Sequence, residues 1–491
     1  MHTRIKIIAL LTTLFAGLLT AGTARCATTH ESTIRFGLFG DVHIYQNSDK
    51  PGDVVLFISG DGGWNLGVID MARALANMNA LVAGIDINHY LAALGKAGTA
   101  CSYPAAHFEE LSQFLQQRYH FDQYRPPVLV GYSSGASLVY TLVAQAPDNT
   151  FASGISLGFC PELTLHKPLC KANGALQWSV SHKGASQTFA FTPARQLHAP
   201  WTVLQGEIDR VCPPQQTEAF VARVKGAQIV RLPKVGHGYS VQTNWLPQFK
   251  KTFMRMHTSQ NTTVVNPAHG APNRTPPELP LVELPVTKPG NTLAVILSGD
   301  GGWAGIDKAL GEALNADGIP VVGFNSLQYF WNRKTPEQTA TDLGKTIAYY
   351  SRAWQRNDVV LIGYSRGAEV LPFAVNRLPQ ALRPLIGEIM LLGPSPAVDF
   401  QFHVSDWLSN SPDDKALAVL PEINRLAGYN LLCLYGADEQ TNSVCPKLDP
   451  KRFRSIVMPG GHHFGGNYEQ LAKIVLQHRK KTGGKPAAPV Q

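Results

Sequence analysis

The chain is written twice. Ser-Gly-Asp-Gly-Gly-Trp occurs at residues 59–64 and again at 298–303, and each copy is followed downstream by Gly-Tyr-Ser-x-Gly, at 131–135 and 363–367. All four motifs follow continuous apolar runs, at 54–58, 128–130, 293–297 and 359–362. Short apolar runs of this kind read as strands buried on both faces of a parallel sheet. A strand that folds back sharply into a helix leaves no room for side chains beside its apex, so the glycines flanking Ser133 and Ser365 point to a nucleophile elbow in each half. Internal repetition on this scale implies two domains of one design.

Length agrees: 491 residues are too many for one core and suit two domains. Within each half, strand-like and helix-like segments alternate, which predicts a parallel sheet with helical crossovers. The expected architecture is two tandem α/β-hydrolase-like domains, each a mostly parallel sheet flanked by helices, at 31–257 and 293–481. Between them, residues 258–292 hold Pro267, Pro272, Pro276, Pro277, Pro280, Pro285 and Pro289 and read as an extended linker. Part of that stretch, 278–286, also fits an edge strand of the second domain. Residues 482–491 read as a disordered tail.

Residues 1–24 carry His2, Arg4 and Lys6, an apolar run at 7–19, and small residues ending in Gly22-Thr23-Ala24. This is the pattern of a cleavable secretory signal, with an uncleaved anchor as the alternative. Arg25 before Cys26 argues against a lipoprotein cleavage box. Six further cysteines in an exported chain are compatible with disulfides: Cys433 with Cys445 is the natural pair in the second half, and Cys160 with Cys170 the shortest option in the first. Buried free thiols are the other reading. No spacing resembles a zinc site, and no cofactor is expected. The net charge of +8 suits peripheral contact with an anionic membrane surface or simply solubility. No basic helix or reading motif accompanies it, so nucleic acid is not an expected partner.

A serine hydroxyl becomes nucleophilic when a histidine takes its proton, and the histidine needs a carboxylate to fix its tautomer. On this fold the three arrive in the order Ser, Asp, His. The second half offers Ser365, Asp438 and His462, with Glu439 and His463 as neighbouring competitors. The first half offers a possible second triad of Ser133, Asp209 and His237. Oxyanion donors are expected from the residue after each serine, Arg366 and Ser134, and from the glycine loops, Gly301 and Gly302 or Gly62 and Gly63. Asp61 and Asp300 precede the serines and read as side chains that bond local backbone N–H groups.

With Ser326-Leu327-Gln328-Tyr329-Phe330-Trp331, Arg333-Lys334-Thr335-Pro336-Glu337 and Gly461-His462-His463-Phe464 added to these motifs, the chain resembles the VirJ/AcvB family of bacterial virulence proteins. The resemblance covers essentially the whole mature chain. It implies a periplasmic serine hydrolase with Ser365 as nucleophile, cleaving the aminoacyl ester of lysyl-phosphatidylglycerol to lysine and phosphatidylglycerol. In the first half Asn88-His89-Tyr90-Leu91 stands where the aromatic triplet would be, a departure from the pattern. A cationic lysyl group calls for acidic residues at the pocket; Glu369, four residues after Ser365, is a candidate, and Glu337 a lesser one. The competing readings are a general exported esterase or lipase, and a non-catalytic periplasmic partner of a type IV secretion or virulence system.

Overall fold

A computed structural model of the chain describes residues 30–96, 101–170, 176–182, 187–197, 199–260, 277–402 and 416–482. The expected signal segment, Cys26, residues 261–276 of the Pro-rich stretch and the tail from 483 onward lie outside the described residues.

The first half is built on an eight-stranded sheet. Its strands are β1 (His30–Phe36), β2 (Gly40–Gln46), β3 (Asp53–Ile58), β4 (Ala80–Ile85), β5 (Val128–Tyr132), β6 (Ser153–Leu157), β10 (Trp201–Gly206) and β11 (Gln228–Leu232), in the order β1-β2-β4-β3-β5-β6-β10-β11. β1 and β2 pair antiparallel at one edge; from β4 to β11 every pairing is parallel. A separate three-stranded antiparallel sheet, β7 (Glu162–Leu165), β8 (Gln177–His182) and β9 (Gln187–Thr192), lies in the chain between β6 and β10. The second half repeats the plan with β12 (Leu281–Leu284), β13 (Thr292–Leu297), β14 (Val321–Phe324), β15 (Asp358–Tyr364), β16 (Ile386–Leu392), β19 (Leu431–Gly436) and β20 (Arg454–Met458), in the order β12-β14-β13-β15-β16-β19-β20. A short pair, β17 (Ala397–Val398) and β18 (Leu417–Ala418), stands apart.

Alternation along the strands explains why both faces of each sheet are dry. Val54, Leu56 and Ile58 enter the core on one face of the first sheet, Val55 and Phe57 the core on the other. Leu293, Val295 and Leu297 separate from Ala294 and Ile296 in the same way. The helices that cover these faces include α1 (Leu66–Ala76), α2 (Ile87–Lys96), α3 (Pro104–Arg118), α4 (Ser134–Gln145), α5 (Pro214–Val221), α6 (Leu246–Gln260), α7 (Gly305–Ala316), α8 (Ser326–Tyr329), α9 (Pro336–Ala353) and α10 (Arg366–Asn376). α9 starts on a capping box: the Thr335 hydroxyl accepts from the Gln338 N–H at 3.1 Å while the Gln338 side chain accepts from the Thr335 N–H at 2.9 Å.

Two expectations change. The Pro-rich stretch 258–292 is a narrower connection than its composition implies, because α6 runs to Gln260 and the edge strand expected within 278–286 is present as β12, paired antiparallel with β14. Prolines on either side of Leu281–Leu284 are tolerated because the free edge of β12 requires no donors. Cys160 does not pair with Cys170. Among the described residues the disulfides are Cys101–Cys170, Cys160–Cys212 and Cys433–Cys445, so the expected second-half pair is present. Cys160 and Cys212 follow β6 and β10, which are neighbours in the sheet, and sheet adjacency outweighs closeness in sequence.

The aromatic triplet divides between the core of the second half and the seam between the halves. Tyr329 and Phe330 pack inside the second half, Tyr329 donating to Asp342 at 2.9 Å. Trp331 instead packs with Tyr124 of the first half, Leu327 and Phe402, and its indole N–H donates to the Phe121 carbonyl at 2.8 Å. Asn332 donates to the Asp122 carbonyl at 3.0 Å, and Lys308 pairs with Asp148. Truncating Trp331 removes a buried anchor of a size whose loss typically costs about 3–5 kcal/mol. We expect Trp331→Ala to loosen the two halves, read as an increased radius of gyration in small-angle scattering with little change in helical circular dichroism.

Candidate active site

Both elbows have the geometry that the glycines imply. Ser365 sits at φ 52° and ψ −122°, Ser133 at φ 54° and ψ −120°, a region non-glycine residues rarely occupy and one that persists only when its surroundings hold it. A Cβ on Gly363 would lie 2.4 Å from the Gly367 carbonyl oxygen, and one on Gly367 only 2.0 Å from that of Leu297. The turn is therefore packed directly against the end of β13, and each serine stands at the start of a helix, α10 or α4.

In the second half Ser365 Oγ lies 2.8 Å from His462 Nε2, and His462 Nδ1 lies 2.6 Å from a carboxylate. That carboxylate belongs to Glu439, not Asp438. Asp438 is exposed, while Glu439 is half-buried beside Gly393 and the imidazole. Spacing explains the correction: Asp209 stands three residues after Gly206, the end of β10, and Glu439 stands three after Gly436, the end of β19. The longer side chain occupies the same position. In the first half the expected set comes together: Ser133 Oγ to His237 Nε2 is 2.9 Å and His237 Nδ1 to Asp209 Oδ2 is 2.8 Å. Asp209 also accepts from the backbone N–H groups of Val211 and Cys212, and these bonds and His237 outweigh its burial to hold its carboxyl below the usual range. Exposed Ile208, Val211 and Val241 lie on the loops beside this relay.

Burial alone would lower the His462 pKa, but the hydrogen bond and charge of Glu439 raise it above the ordinary imidazole value. His463 is displaced from the relay. It contacts the Tyr364 hydroxyl at 3.0 Å, and burial together with the neighbouring His462 lowers its pKa. Tyr364 and its counterpart Tyr132 also donate to the backbone carbonyls of His462 and His237, at 3.2 and 2.8 Å, which fixes the histidine loops. Sequence reasoning missed this role, although both tyrosines immediately precede their serines.

The glycine loops lie against the nucleophiles: a Cβ on Gly299 would be 3.3 Å from Ser365 Cβ, and one on Gly60 2.9 Å from Ser133 Cβ. Gly302 is not a donor to this site, because its N–H closes a turn on the Gly299 carbonyl at 3.1 Å. Among the described residues the N–H groups of Asp300 and Gly301 have no acceptor within the chain, and Gly301 lines the cavity above Ser365. Asp300 and Asp61 do more than shape their own loops. Asp300 accepts from the buried Arg366 guanidinium, and Asp61 accepts from the Ser134 hydroxyl. In each half the residue after the nucleophile is thereby tied to the glycine loop. Arg366 also donates to the carbonyls of Asp399 and Gln401.

A cavity of about 850 Å³ opens over Ser365 and His462. Glu369 is not among its lining residues: its buried carboxylate accepts from the Ser395 N–H at 3.1 Å, behind the nucleophile, and burial raises its pKa. Glu337 pairs with Arg377 on the surface. Neither therefore holds a substrate ammonium in this cavity. Asp209, Cys212 and His237 place ligand-type atoms within 4.8 Å of one another, but the Cys212 sulfur is bound to Cys160, so the group offers no thiolate to a metal.

Among known proteins, the sequence pattern of the bacterial virulence protein (VirJ) family matches residues 52–155 and 291–482. No curated protein sequence matches. Solved structures with similarity to part of the chain include an alpha-beta serine hydrolase homologue from Coxiella burnetii, 16% identical over 46% of this chain and 96% of that one with a TM-score of 0.30. An esterase domain from a Rhodothermus marinus protein is 14% identical over 46% and 98%, with a TM-score of 0.31. The alpha/beta hydrolase GrgF from Penicillium sp. sh18 is 10% identical over 47% and 98%, with a TM-score of 0.34.

Two outcomes follow from this geometry. Because a base must be neutral to take a proton and His462 holds its proton unusually well, kcat/KM for an ester should rise with pH along a limb centred above about 6.5. Asp300→Asn, which leaves the Arg366 cation buried without its carboxylate, should lower kcat by about 10²-fold and also lower the melting temperature.

Proposed function

The chain belongs to the VirJ family of bacterial virulence proteins, and from that premise we propose that it is an exported serine hydrolase acting on the aminoacyl ester of lysyl-phosphatidylglycerol. The observation that carries the reading is the relay from Glu439 through His462 to Ser365 at the base of a cavity whose wall is the glycine loop. Ser365 Oγ attacks the ester carbonyl carbon while His462 Nε2 takes its proton, and Glu439 stabilises the resulting imidazolium. The oxyanion is received by the N–H of Arg366 and by the loop N–H groups of Asp300 and Gly301. Collapse expels the glycerol oxygen of phosphatidylglycerol, which takes the proton back from His462 and leaves a lysyl ester on Ser365. Water, deprotonated by the same histidine, then releases lysine and regenerates the serine.

Three disulfides fit an oxidising compartment such as the periplasm, and among the described residues no helix is long and apolar enough to cross a membrane. The net charge of +8 favours approach to an anionic lipid surface. The assembled relay of Ser133, His237 and Asp209 supports a second nucleophile in the first half.

Purified protein incubated with lysyl-phosphatidylglycerol vesicles should release free lysine, and Ser365→Ala should reduce the rate by about 10³-fold or more while Ser133→Ala retains it. A fluorophosphonate should add twice to the wild type and once to Ser365→Ala. Turnover of simple esters without lysine release would favour a general esterase. No labelling at all would favour a non-catalytic partner of a secretion system.

A further inference from the structure

The cavity over Ser365 is not made by the second half alone. One wall is the first half: Tyr103, Ala106 and Glu109 from α3 and its cap, with Pro147 and Thr150 from the loop after α4. The opposite wall is the glycine loop and the start of α7, including Asp307. The position of α3 is set at its other end, where Gln117 donates to the Trp331 carbonyl at 3.4 Å and the Trp331 indole bonds to Phe121 just beyond the helix.

Two carboxyl groups face this space without a cation. Asp307 is 3% exposed, and its Oδ1 is buried with no hydrogen-bond partner. Glu109 has no hydrogen-bond or ion-pair partner among the described residues. Burial raises both carboxyls, that of Glu109 to about 8 and that of Asp307 well above the carboxylate range. The basic side chains nearby are committed elsewhere, Lys308 to Asp148 and Arg366 to Asp300. Asp307 keeps backbone N–H contacts from Gly299 and from its own amide, and Glu109 is half-buried, but neither carboxyl has a cation beside it. The cost of withdrawing an acid from water is recovered when a cation enters next to it.

We propose that Glu109 and Asp307 form a composite receptor, one carboxyl from each half, for the side-chain ammonium of a positively charged acyl group whose ester carbon lies at Ser365 Oγ. The inference rests on the ester-hydrolase reading and adds to it the residues that select the acyl group. It also gives the first half a part in the chemistry of the second, since without α3 the receptor lacks one of its acids. A neutral acyl group of the same length fills the space but leaves the carboxyls unmatched, so discrimination falls on charge rather than size.

The test uses the full chain and two soluble esters of one alcohol, lysyl and norleucyl, the second having the lysyl side chain without its ammonium, with the ratio of their kcat/KM values as readout. The wild type should prefer the lysyl ester. Glu109→Gln and Asp307→Asn should each reduce that preference by about tenfold, mainly through KM for the lysyl ester. Glu110→Gln, on the same helix but not in the cavity wall, should leave the ratio unchanged. Glu109→Lys should reverse the preference, and melting temperatures report whether each variant is folded. Turnover of both esters with a ratio unaffected by Glu109→Gln and Asp307→Asn overturns the receptor and leaves the hydrolase reading intact. Turnover of neither ester by the wild type overturns the hydrolase reading itself.

Discussion

The constraint on which the second half depends is the contact between Gly367 and the end of β13. The elbow crosses so close to Leu297 that no side chain fits, and only this approach lets α10 begin directly above the glycine loop. Ser365 accepts a strained backbone there, and its N–H is held by the Leu392 carbonyl of β16 at 2.8 Å. The Asp300 to Arg366 ion pair then locks the loop to the helix from the outside. Ser365, the glycine loop and the helix start are thus one mechanical unit, repeated in the first half with Asp61 and Ser134 making the smaller version of the tie.

The two copies have diverged in what surrounds that unit. In the second half the aromatic segment after β14 is used at its near end for the core and at its far end, through Trp331, for the first half. Docking places α3 against the cavity over Ser365, so Glu109 of one copy and Asp307 of the other line the same space. The first-half relay is assembled as well, with exposed Ile208, Val211 and Val241 on neighbouring loops. Duplication here has supplied a site together with one wall of the site beside it.

Much of the fold is legible because it follows local rules: apolar runs of three to five residues mark central strands, and glycines around each serine mark elbows. The relay histidines were legible from the glycine before each. The relay acid of the second half was not, because Asp438 and Glu439 are adjacent and chemically alike; counting from Gly436 as Asp209 is counted from Gly206 identifies Glu439, whereas residue type points to its neighbour. Gly302 looked like a donor because glycine permits close approach, but its N–H is spent on its own turn. Proximity in sequence favours Cys160 with Cys170, while the sheet brings Cys212 nearer. The tie of Trp331 to Phe121 and the shared cavity lined by Glu109 and Asp307 bring in residues far apart in the chain, and such placements leave no periodic trace.

Glu439, positioned by the end of β19, orients His462 toward Ser365. Comparing kcat of Glu439→Gln with that of Asp438→Asn on one ester tests it most directly. Glu439→Gln should lower kcat by about 10²–10⁴-fold, the scale on which loss of the relay acid acts, and Asp438→Asn should change it by no more than about twofold. The opposite ranking, with Asp438→Asn inactive and Glu439→Gln close to wild type, would contradict it.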